Sequence, residues 1–316
     1  MGYKTGLTPL EVANILNISK NTVYSMIKRG DLSSYKVGNK FRFDIEDIEN
    51  YKNKNYDSRY LKERYSNINN GLELKTYRKD SFIICGKDVI LSSLCKHLLQ
   101  KCDGLLALNS HMTSYKALYE LYYGNAQMAA IHLWDEETEQ YNIPYVKKMM
   151  PGISTVIIHL AKRTQGMYVA KGNPKNIRGW EDLKRQDISI VNREMGNGTR
   201  ILLDERLKKM NIDRTKIKGY FKETYSNRES IYTISNGKAD IAIGIKRKKF
   251  YYEEIDFIPL QNESFDLVIK KEDMYKSKFQ NLISILKSKE FKLELENIVD
   301  YNVDEIGEII GETWWY

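Results

Sequence analysis

The sequence predicts an α/β protein made of two dissimilar parts, a small N-terminal helical unit and a larger unit of alternating strands and helices. Three observations indicate this. Two capped amphipathic helices and a hairpin occupy the first fifty residues, residues 52–80 are poor in apolar side chains, and strands alternate with helices beyond Asp80. A chain of 316 residues, 42% of them apolar, is long enough for two or three folding units.

The first helix is predicted to begin at Thr8. Thr8 and Glu11 form a T-x-x-E capping box, and Pro9 stands at the first helical position, where a backbone N–H would be unpaired in any case. The apolar face of this helix comprises Val12, Ala13 and Leu16.

The second helix has both a start and an end signal, because Ser19 can cap its first turn and Gly30 can end its last. Val23 and Ile27 lie four residues apart and are expected to point inward. The opposite face carries amides, hydroxyls and cations that suit base edges and phosphates, namely Lys20, Asn21, Thr22, Tyr24, Ser25 and Lys28. We expect this helix to read DNA.

A basic hairpin follows the second helix. Gly38 and Asn39 form a two-residue turn signal between two short strands. Because side chains alternate along a strand, Phe41 and Phe43 are expected to anchor one face of this wing. The opposite, cationic face comprises Lys40 and Arg42. A short third helix is then predicted, capped by Asp44 and running through Ile45, Ile48 and Tyr51.

The segment TPLEVANILNISKNTVYSMIKRGDLSSYKVGNKFRFDIED, residues 8–47, resembles the helix-turn-helix domains of the excisionase family, which are related to the winged domains of mercury-resistance-type regulators. The resemblance implies a winged helix-turn-helix DNA-binding domain, which we assign to residues 1–54. The alternative is a small helical module that only binds other proteins.

The composition of the chain limits which binding partners and which cellular compartment we expect. A formal net charge of +8 and a pI near 9.0 fit a polyanionic partner, although basicity alone is weak support. No apolar run is long enough to cross a bilayer, and the sequence begins with a folded domain rather than a leader, so we expect a cytoplasmic protein with no membrane partner. The cysteines are odd in number and lack C-x-x-C spacing, which argues against a disulfide framework: Cys85, Cys95 and Cys102.

Residues 55–80 are predicted to be a polar linker, with a helix over residues 60–65. Beyond it the pattern is that of a mainly parallel sheet, in which the strands SFIIC, LLALNS, QMAAIHLWD, DISIVNRE and ADIAIGI alternate with helices. A longer strand, STVIIHLAKRTQGMYVAKGNP, is expected to cross between two bodies, and DFIPL with ESFDLVIK to return to the first. An exposed helix is expected over residues 179–184.

Several strings in this region, above all NREMGNGTRILLDERL with the upstream RTQG, look like the periplasmic-binding-protein superfamily domain of cytoplasmic regulators, which is also fused to some molybdopterin biosynthesis proteins. The resemblance implies a two-lobed, type II periplasmic-binding-protein-like domain over residues 81–316 with a ligand in its cleft. Lobe 1 is expected at about 81–165 and 258–316, and lobe 2 at about 166–257. The first loop reads CGKD, so the contacts that relatives make through a Gly-Ser-His-Asp-like loop are not carried over.

The loop after DISIVNRE has the composition of an anion site. Glycines let the backbone approach a ligand, a threonine supplies a hydroxyl, and the following helix directs unpaired N–H groups at the cleft. The residues expected to bind are Gly196, Asn197, Gly198 and Thr199. A second helix start is expected to face them from the other lobe, with Ser110, Thr113 and Ser114.

Arginines at strand ends are candidate charge partners of the ligand. Arg163 and Arg193 are preferred over Arg200. The alternative is that the glycine-rich segment is only a turn and that the arginines pair with nearby Asp or Glu. Four further residues can line the cleft, although such a histidine more often has a structural role: His132, Asp135, Tyr141 and Asn142.

No catalytic residue and no metal site are predicted. The sequence contains neither a nucleophile elbow nor a P-loop. The histidines lack zinc-like spacing: His97, His111, His132 and His159. The aromatic tail is expected to serve core or dimer packing: Trp314, Trp315 and Tyr316.

These patterns favour a non-enzymatic transcriptional regulator that binds a double-stranded DNA operator as a homodimer and senses a small ligand. The resemblance implies a small oxyanion, molybdate or tungstate first, while a pterin-like or other organic anion stays open. Two further classes stay open. An enzyme or accessory protein of molybdenum cofactor biosynthesis requires a nucleophile or base in the cleft, and an excisionase-like recombination factor does not require the large domain.

Overall fold

The computed structural model describes residues 7–16, 18–43, 48, 51, 81–102, 105–246 and 254–315. The chain folds as two compact units, Met1–Lys79 and Asp80–Tyr316. Several predicted features lie outside the described residues: the linker at 55–80 with its helix at 60–65, the third-helix residues Asp44 and Ile45, and Tyr316.

The N-terminal unit contains α1 (Pro9–Leu16), α2 (Lys20–Arg29), β1 (Tyr35–Val37) and β2 (Lys40–Arg42). The predicted capping box starts α1, because the Thr8 N–H donates to Glu11 Oε2 at 2.7 Å and the Glu11 N–H donates to Thr8 Oγ1 at 3.3 Å. Helices and hairpin share one small core of buried side chains: Val12, Ala13, Val23, Met26, Leu32, Phe43 and Ile48.

The buried stripe of α2 differs from the predicted one by one residue. Val23 is buried as predicted, but its buried neighbour is Met26, and Ile27 is only half-buried. Residues three apart share a helix face as well as residues four apart, and the flexible Met side chain fills the centre of a small core. Gly30 ends the helix in the left-handed conformation, with φ 74°.

The described residues of the larger unit include nine strands of one sheet and a separate two-stranded ribbon. The ribbon pairs β6 (Trp134–Asp135) with β7 (Gln140–Tyr141). The strands of the sheet are β3 (Ser81–Cys85), β4 (Leu106–Ser110), β5 (Met128–Ile131), β8 (Thr155–Ala170), β9 (Ile190–Arg193), β10 (Glu223–Thr224), β11 (Ile241–Ile245), β12 (Ile255–Lys270) and β13 (Ile309–Thr313).

The order of the sheet is β10-β9-β11-β8-β12-β5-β3-β4, and β13 pairs with one end of β8. β3 pairs in parallel with β4 and β5, and β9 pairs in parallel with β10 and β11. The helices of this unit are α3 (Val89–Lys101), α4 (Ser114–Tyr122), α5 (Ile143–Met149), α6 (Gly198–Lys209), α7 (Asn227–Ser235), α8 (Ser277–Lys287) and α9 (Lys289–Ile298). The helix predicted at 179–184 is a short 3-10 helix, Trp180–Lys184.

Two strands of sixteen residues, β8 and β12, connect the two lobes and pair with each other in antiparallel fashion. Buried residues between 82 and 161 and between 265 and 306 form the core of lobe 1, and residues between 167 and 255 form that of lobe 2. The predicted two-lobed α/β fold is confirmed. The sequence predicts two strands where the structure has the single strand β12. The pairing of β12 with β8 is irregular between Pro259 and Gln261, because proline has no N–H to donate to the neighbouring strand.

Candidate functional site

The exposed face of α2 is the candidate DNA-binding surface. The side chain of Ser19 caps the helix by accepting the Thr22 N–H at 3.1 Å. All six predicted side chains are exposed: Lys20, Asn21, Thr22, Tyr24, Ser25 and Lys28. Two hydroxyls already have local partners, because Thr22 Oγ1 lies 2.8 Å from Ser19 Oγ and Ser25 donates to the Asn21 carbonyl at 3.1 Å. The Asn21 amide and the lysine ammonium groups are therefore the groups best placed to reach bases and phosphates.

The wing packs on α2 through an aromatic contact. The rings of Phe41 and Tyr24 meet edge to face with centroids 6.1 Å apart, and Lys36 Nζ lies 5.2 Å from the Phe41 centroid. Lys40 is exposed, whereas Arg42 is half-buried and donates to the Phe41 carbonyl at 3.0 Å. The exposed Lys36 is a wing cation that sequence reasoning missed, although strand alternation on β1 carried the signal.

In the larger unit, a cavity of about 100 Å³ lies between the two lobes and is partly open to solvent. Four helix N-termini meet there, because its lining includes Asp88 before α3, Thr113 before α4, Asn197 before α6 and Ser226 before α7. Two of these helices belong to each lobe. A helix N-terminus carries partial positive charge. The Asp88 carboxylate already lies at the start of α3, whereas α6 and α7 are capped by the uncharged side chains of Asn197 and Ser226, so these helix starts favour an anion in the cavity.

The structure brings together seven of the thirteen predicted ligand residues. The residues that line the cavity are Thr113, Ser114, His132, Arg163, Arg193, Asn197 and Thr199. The remaining six lie outside its lining: Ser110, Asp135, Tyr141, Asn142, Gly196 and Gly198.

The polar residues among these six make structural contacts. Asn142 is fully buried, accepts the Leu133 N–H at 2.6 Å and donates to Asp266 at 2.5 Å. The hydroxyl of Tyr141 accepts from the Gln261 amide at 2.8 Å, and burial raises the pKa of Tyr141. The Ser110 carbonyl accepts the Gly86 N–H at 3.0 Å. These contacts organise lobe 1 behind the cavity.

The two glycines instead allow the lobes to touch. A Cβ added to Gly198 would meet the His132 carbonyl oxygen and would lie 2.6 Å from His132 Nδ1. Gly196 has φ +80°, and its added Cβ would lie 3.0 Å from Thr113 Oγ1. The Gly196 carbonyl also accepts the Tyr115 N–H at 3.1 Å. The lobes are thus in close contact at the rim of the cavity.

Arg163 lies on the cavity wall, but two carboxylates of the protein already balance its positive charge. Its guanidinium donates to Asp88 Oδ2 at 2.8 Å and forms a short ion pair with Glu263, and its side chain is 3% exposed. The Phe265 ring lies 4.1 Å from the guanidinium carbon. Burial alone would lower the pKa of Arg163, but Glu263 and Asp88 raise it, so the side chain stays charged. Its hydrogen bonds go to carboxylates of the protein.

Arg193 and Arg200 are paired in the same way. Arg193 Nε donates to Glu194 at 3.0 Å, and its Nη1 donates to Asn227 Oδ1 at 2.9 Å. Arg200 donates to the Arg193 carbonyl at 3.1 Å and forms an ion pair with Glu223. The arginines therefore pair with nearby carboxylates, as the alternative to ligand binding predicted. The glycine-rich loop nevertheless borders the cavity, through Asn197 and Thr199.

Glu263, at the centre of the lobe crossing, was not singled out from the sequence. It is 1% exposed, and His132 Nδ1 lies 2.9 Å from its Oε2. Burial alone would raise the pKa of Glu263, but Arg163 and His132 lower it to about 2, so the carboxylate stays ionised. No sequence motif marks this residue, because its partners lie about one hundred residues away along the chain.

Lys87 was also missed, although it stands in the CGKD loop. It lines the cavity from lobe 1, donates to the Tyr225 carbonyl of lobe 2 and lies 3.8 Å from Glu194 Oε1. Burial lowers the pKa of Lys87. Because its ion pair is long and its side chain is 41% exposed, Lys87 is the lining cation best placed to turn toward a ligand.

A larger depression of about 440 Å³ lies on lobe 2 between the 3-10 helix Trp180–Lys184 and α6. It is more open than the interlobe cavity, and no predicted site residue lines it. Within the described ranges, no three His, Cys, Asp or Glu side chains are grouped as a metal site would require. In the same ranges, no helix is long and apolar enough to span a membrane.

Comparison with known proteins assigns the chain to a family. It belongs to the PBP superfamily domain family, which matches residues 96–287, and a helix-turn-helix domain matches residues 7–56. It is 36% identical to the Bacillus subtilis (strain 168) protein "Uncharacterized protein YvgK", over 99% of this chain and 100% of that protein. Both predicted resemblances are confirmed, and the combination of domains fits a ligand-responsive DNA-binding regulator.

Solved structures share the fold of the larger unit. An ABC-type phosphate transport receptor from Vibrio cholerae is 16% identical with a TM-score of 0.50, over 70% of this chain and 99% of the receptor. The ancestral amino acid-binding protein AncCDT-1 is 16% identical with a TM-score of 0.51, over 71% of this chain and 97% of its own. These similarities concern the fold alone.

Proposed function

We propose that this protein is a one-component transcriptional regulator whose N-terminal domain reads an operator and whose two-lobed domain senses a small oxyanion, molybdate or tungstate first. The observation that carries the proposal is the meeting of four helix N-termini at one interlobe cavity, three of them without a carboxylate cap. Each N-terminus is equivalent to roughly half a positive charge. Together they favour an anion even where every lining arginine is paired.

The paired arginines define the kind of anion recognition. Arg163 and Arg193 already donate to carboxylates, so the ligand's partners are helix N–H groups, hydroxyls and the Lys87 ammonium. Uncharged N–H and O–H donors, together with one ammonium group, suit an anion whose charge is spread over several oxygens. Each oxygen then receives its own hydrogen bond.

The size of the cavity indicates a small ligand. Pockets for drug-sized molecules measure roughly 300–1,000 Å³, whereas this cavity measures about 100 Å³. The two proteins of the same fold described above bind phosphate and an amino acid, and both ligands carry an oxyanion group. A tetrahedral oxyanion meets both conditions.

The ligand contacts both lobes in this proposal, and it therefore favours the closed arrangement over an open one. A ligand shifts such an equilibrium only through its different affinities for the two states. Thr113 and Ser114 lie on one lobe and Thr199 on the other, so an anion between them makes its full set of contacts only when the lobes are closed. Operator affinity is expected to follow this shift.

The DNA-binding half of the proposal predicts a homodimer in the cytoplasm. Helix-turn-helix proteins of this type commonly read paired half-sites, whose centres lie about 34 Å apart or a multiple of that distance. A monomer that binds a single asymmetric site with full affinity would contradict this part.

Thermal unfolding of the full chain with molybdate, tungstate, sulfate or phosphate tests the sensor. A ligand at one hundred times its Kd stabilises the protein that binds it by about 2.7 kcal/mol, which raises the melting temperature visibly. Thr199→Val and Lys87→Met are expected to reduce this rise. Thr233→Val is the matched control, because the Thr233 hydroxyl donates to the Glu229 carbonyl at 2.8 Å within α7.

The possible outcomes separate the site from the ligand. If the four anions leave the melting curve unmoved while an organic anion shifts it, and Thr199→Val abolishes that shift, the cavity is the site and the oxyanion is wrong. If no ligand's effect depends on Lys87, Thr113 or Thr199, the cavity is not the sensor site.

A further inference from the structure

Gln165 belongs to the RTQG string, which is part of the most specific sequence resemblance, yet its side chain lies behind the cavity lining. It is fully buried on β8. Its Nε2 lies 3.1 Å from Thr199 Oγ1 and makes a short hydrogen bond to Glu263 Oε2, and its Oε1 has no hydrogen-bond partner among the described residues. The amide therefore reaches the cavity through Thr199.

The neighbouring carboxylate fixes the orientation of this amide. Glu263 is ionised, since Arg163 and His132 hold its pKa at about 2, and an ionised carboxylate only accepts hydrogen bonds. The Gln165 nitrogen must therefore face Glu263, because the opposite orientation would bring two acceptors together. The nitrogen carries two hydrogens, one for Glu263 and one for Thr199.

The consequence falls on the Thr199 hydroxyl. Its oxygen accepts the Gln165 hydrogen, so its own proton must point elsewhere. Thr199 lies at the start of α6 and lines the cavity, and an acceptor in the cavity is the natural partner of that proton.

Ser114, on the opposite lobe, is held in the same way. Its Oγ accepts the His132 backbone N–H at 3.3 Å, which leaves the Ser114 proton for another acceptor. Ser114 and Thr199 both line the cavity. Two hydroxyls, one from each lobe, thus have protons that are free to be donated to an acceptor in the cavity.

We propose that Gln165 is the specificity-determining residue of the cavity: by donating to Thr199 it fixes that hydroxyl as a donor, so the site selects ligands that present only acceptor oxygens to it. This inference rests on the proposed function. Fully deprotonated tetrahedral oxyanions are the ligand class, and anions that keep a proton are disfavoured. An unpaired donor facing a ligand hydroxyl lowers affinity on the order of 10- to 100-fold.

Calorimetric titration of the full chain with tungstate and with phosphate near neutral pH tests the proposal. The two anions have the same geometry, but phosphate retains a proton. The wild type is expected to bind tungstate at least about tenfold more tightly than phosphate, and Gln165→Leu to reduce that ratio by about tenfold. Gln261→Leu is the matched control, because Gln261 is the cross-strand partner of Gln165 but contacts Tyr141 and Arg206.

A double-mutant cycle with Thr199→Val separates positioning from general stability. If Gln165 acts through Thr199, Gln165→Leu changes the tungstate-to-phosphate ratio in the wild type and leaves it unchanged in the Thr199→Val background. Gln165→Glu is the second variant, useful if the leucine variant does not fold. Its protonated carboxyl can donate to Glu263 and accept from Thr199, which reverses the hydroxyl and is expected to favour phosphate.

Two results would overturn the inference in distinguishable ways. Equal changes in both backgrounds, or an unchanged ratio in Gln165→Leu and Gln165→Glu, would show that Gln165 does not set selectivity while the anion site stands. Failure of the wild type to bind either anion would remove the proposed function and this inference with it.

Discussion

The DNA-binding surface and the interlobe cavity carry similar polar residues in opposite electrostatic situations. On α2, Lys20, Asn21 and Lys28 are exposed to solvent. In the cavity wall, Arg163 is 3% exposed and its charge is matched by Asp88 and Glu263. A surface cation is stabilised by water, whereas a buried cation requires a carboxylate at hydrogen-bonding distance.

Charged residues therefore have different roles in the two regions. On the surface, the charged groups themselves meet the partner, and phosphate replaces water. In the cavity, the arginines and carboxylates pair with one another, which leaves hydroxyls, helix N–H groups and Lys87 for the ligand that we propose. Removing a charge is therefore expected to weaken DNA binding in one region and folding in the other.

Glu263→Gln tests this contrast with the largest expected effect. Glu263 is fully buried, and its loss leaves the Arg163 charge without one of its two carboxylates. Removing one partner of a buried ion pair typically costs about 3–5 kcal/mol, which urea unfolding should show. The control is Glu308→Gln, whose exposed pair with Lys287 spans 3.4 Å. A change under about 1 kcal/mol is expected there, and equal losses in the two variants would refute the contrast.

Acid should destabilise the protein through the same carboxylate. The pKa of Glu263 falls from 4.5 to about 2 in the folded protein, despite the opposing effect of burial, because of Arg163 and His132. A depressed folded-state pKa gives stability that is present above the unfolded value and lost as pH falls through the folded one. The loss, on the order of 3 kcal/mol between pH ~4.5 and pH ~2, should be absent from Glu263→Gln. Identical acid profiles for the two proteins would mean that folding does not lower the pKa of Glu263.

Asn21→Ala tests the exposed region. If Asn21 contacts a base, its loss should cost about 1–3 kcal/mol on the preferred site and relax specificity there, whereas Lys40→Ala should weaken all sequences and reduce the salt dependence. Fluorescence anisotropy on an operator selected from random DNA measures both. Asn14→Ala, an exposed amide on α1, is the control. An equal loss on every sequence from Asn21→Ala would contradict the assignment of α2 as the helix that reads bases.

Gly198→Ala sharpens the contrast inside the larger unit. The added Cβ would collide with the His132 backbone, so the lobes must separate or α6 must shift, at about 1–3 kcal/mol of overpacking. The rise in melting temperature that tungstate causes should therefore be smaller in Gly198→Ala than in the wild type. At Gly179 an added Cβ meets nothing within 4 Å, so Gly179→Ala should bind as the wild type does. Unchanged tungstate binding in Gly198→Ala would show that lobe contact is unnecessary.

The same contrast explains what could be predicted from the sequence. Helix periodicity and caps identified six of the seven exposed residues of α2, because exposure follows from local spacing. The seventh, Arg29, donates to Asp31 beyond the end of the helix. The glycine-rich loop also identified Asn197 and Thr199, because a helix start is a local signal. The pairing of Arg163 with Glu263 could not be predicted, because strand register between β8 and β12 decides which carboxylate lies beside the arginine. Lys87 was missed because its role depends on the closeness of the lobes.

The most direct test of the account is operator affinity measured with and without tungstate, for the wild type and for Thr199→Val. The wild type should show a change in affinity that saturates with tungstate concentration, and Thr199→Val should require much more tungstate while binding DNA normally in its absence. Operator affinity that does not respond to tungstate, although calorimetry shows the anion bound in the cavity, would contradict the claim that this protein couples anion sensing to DNA binding.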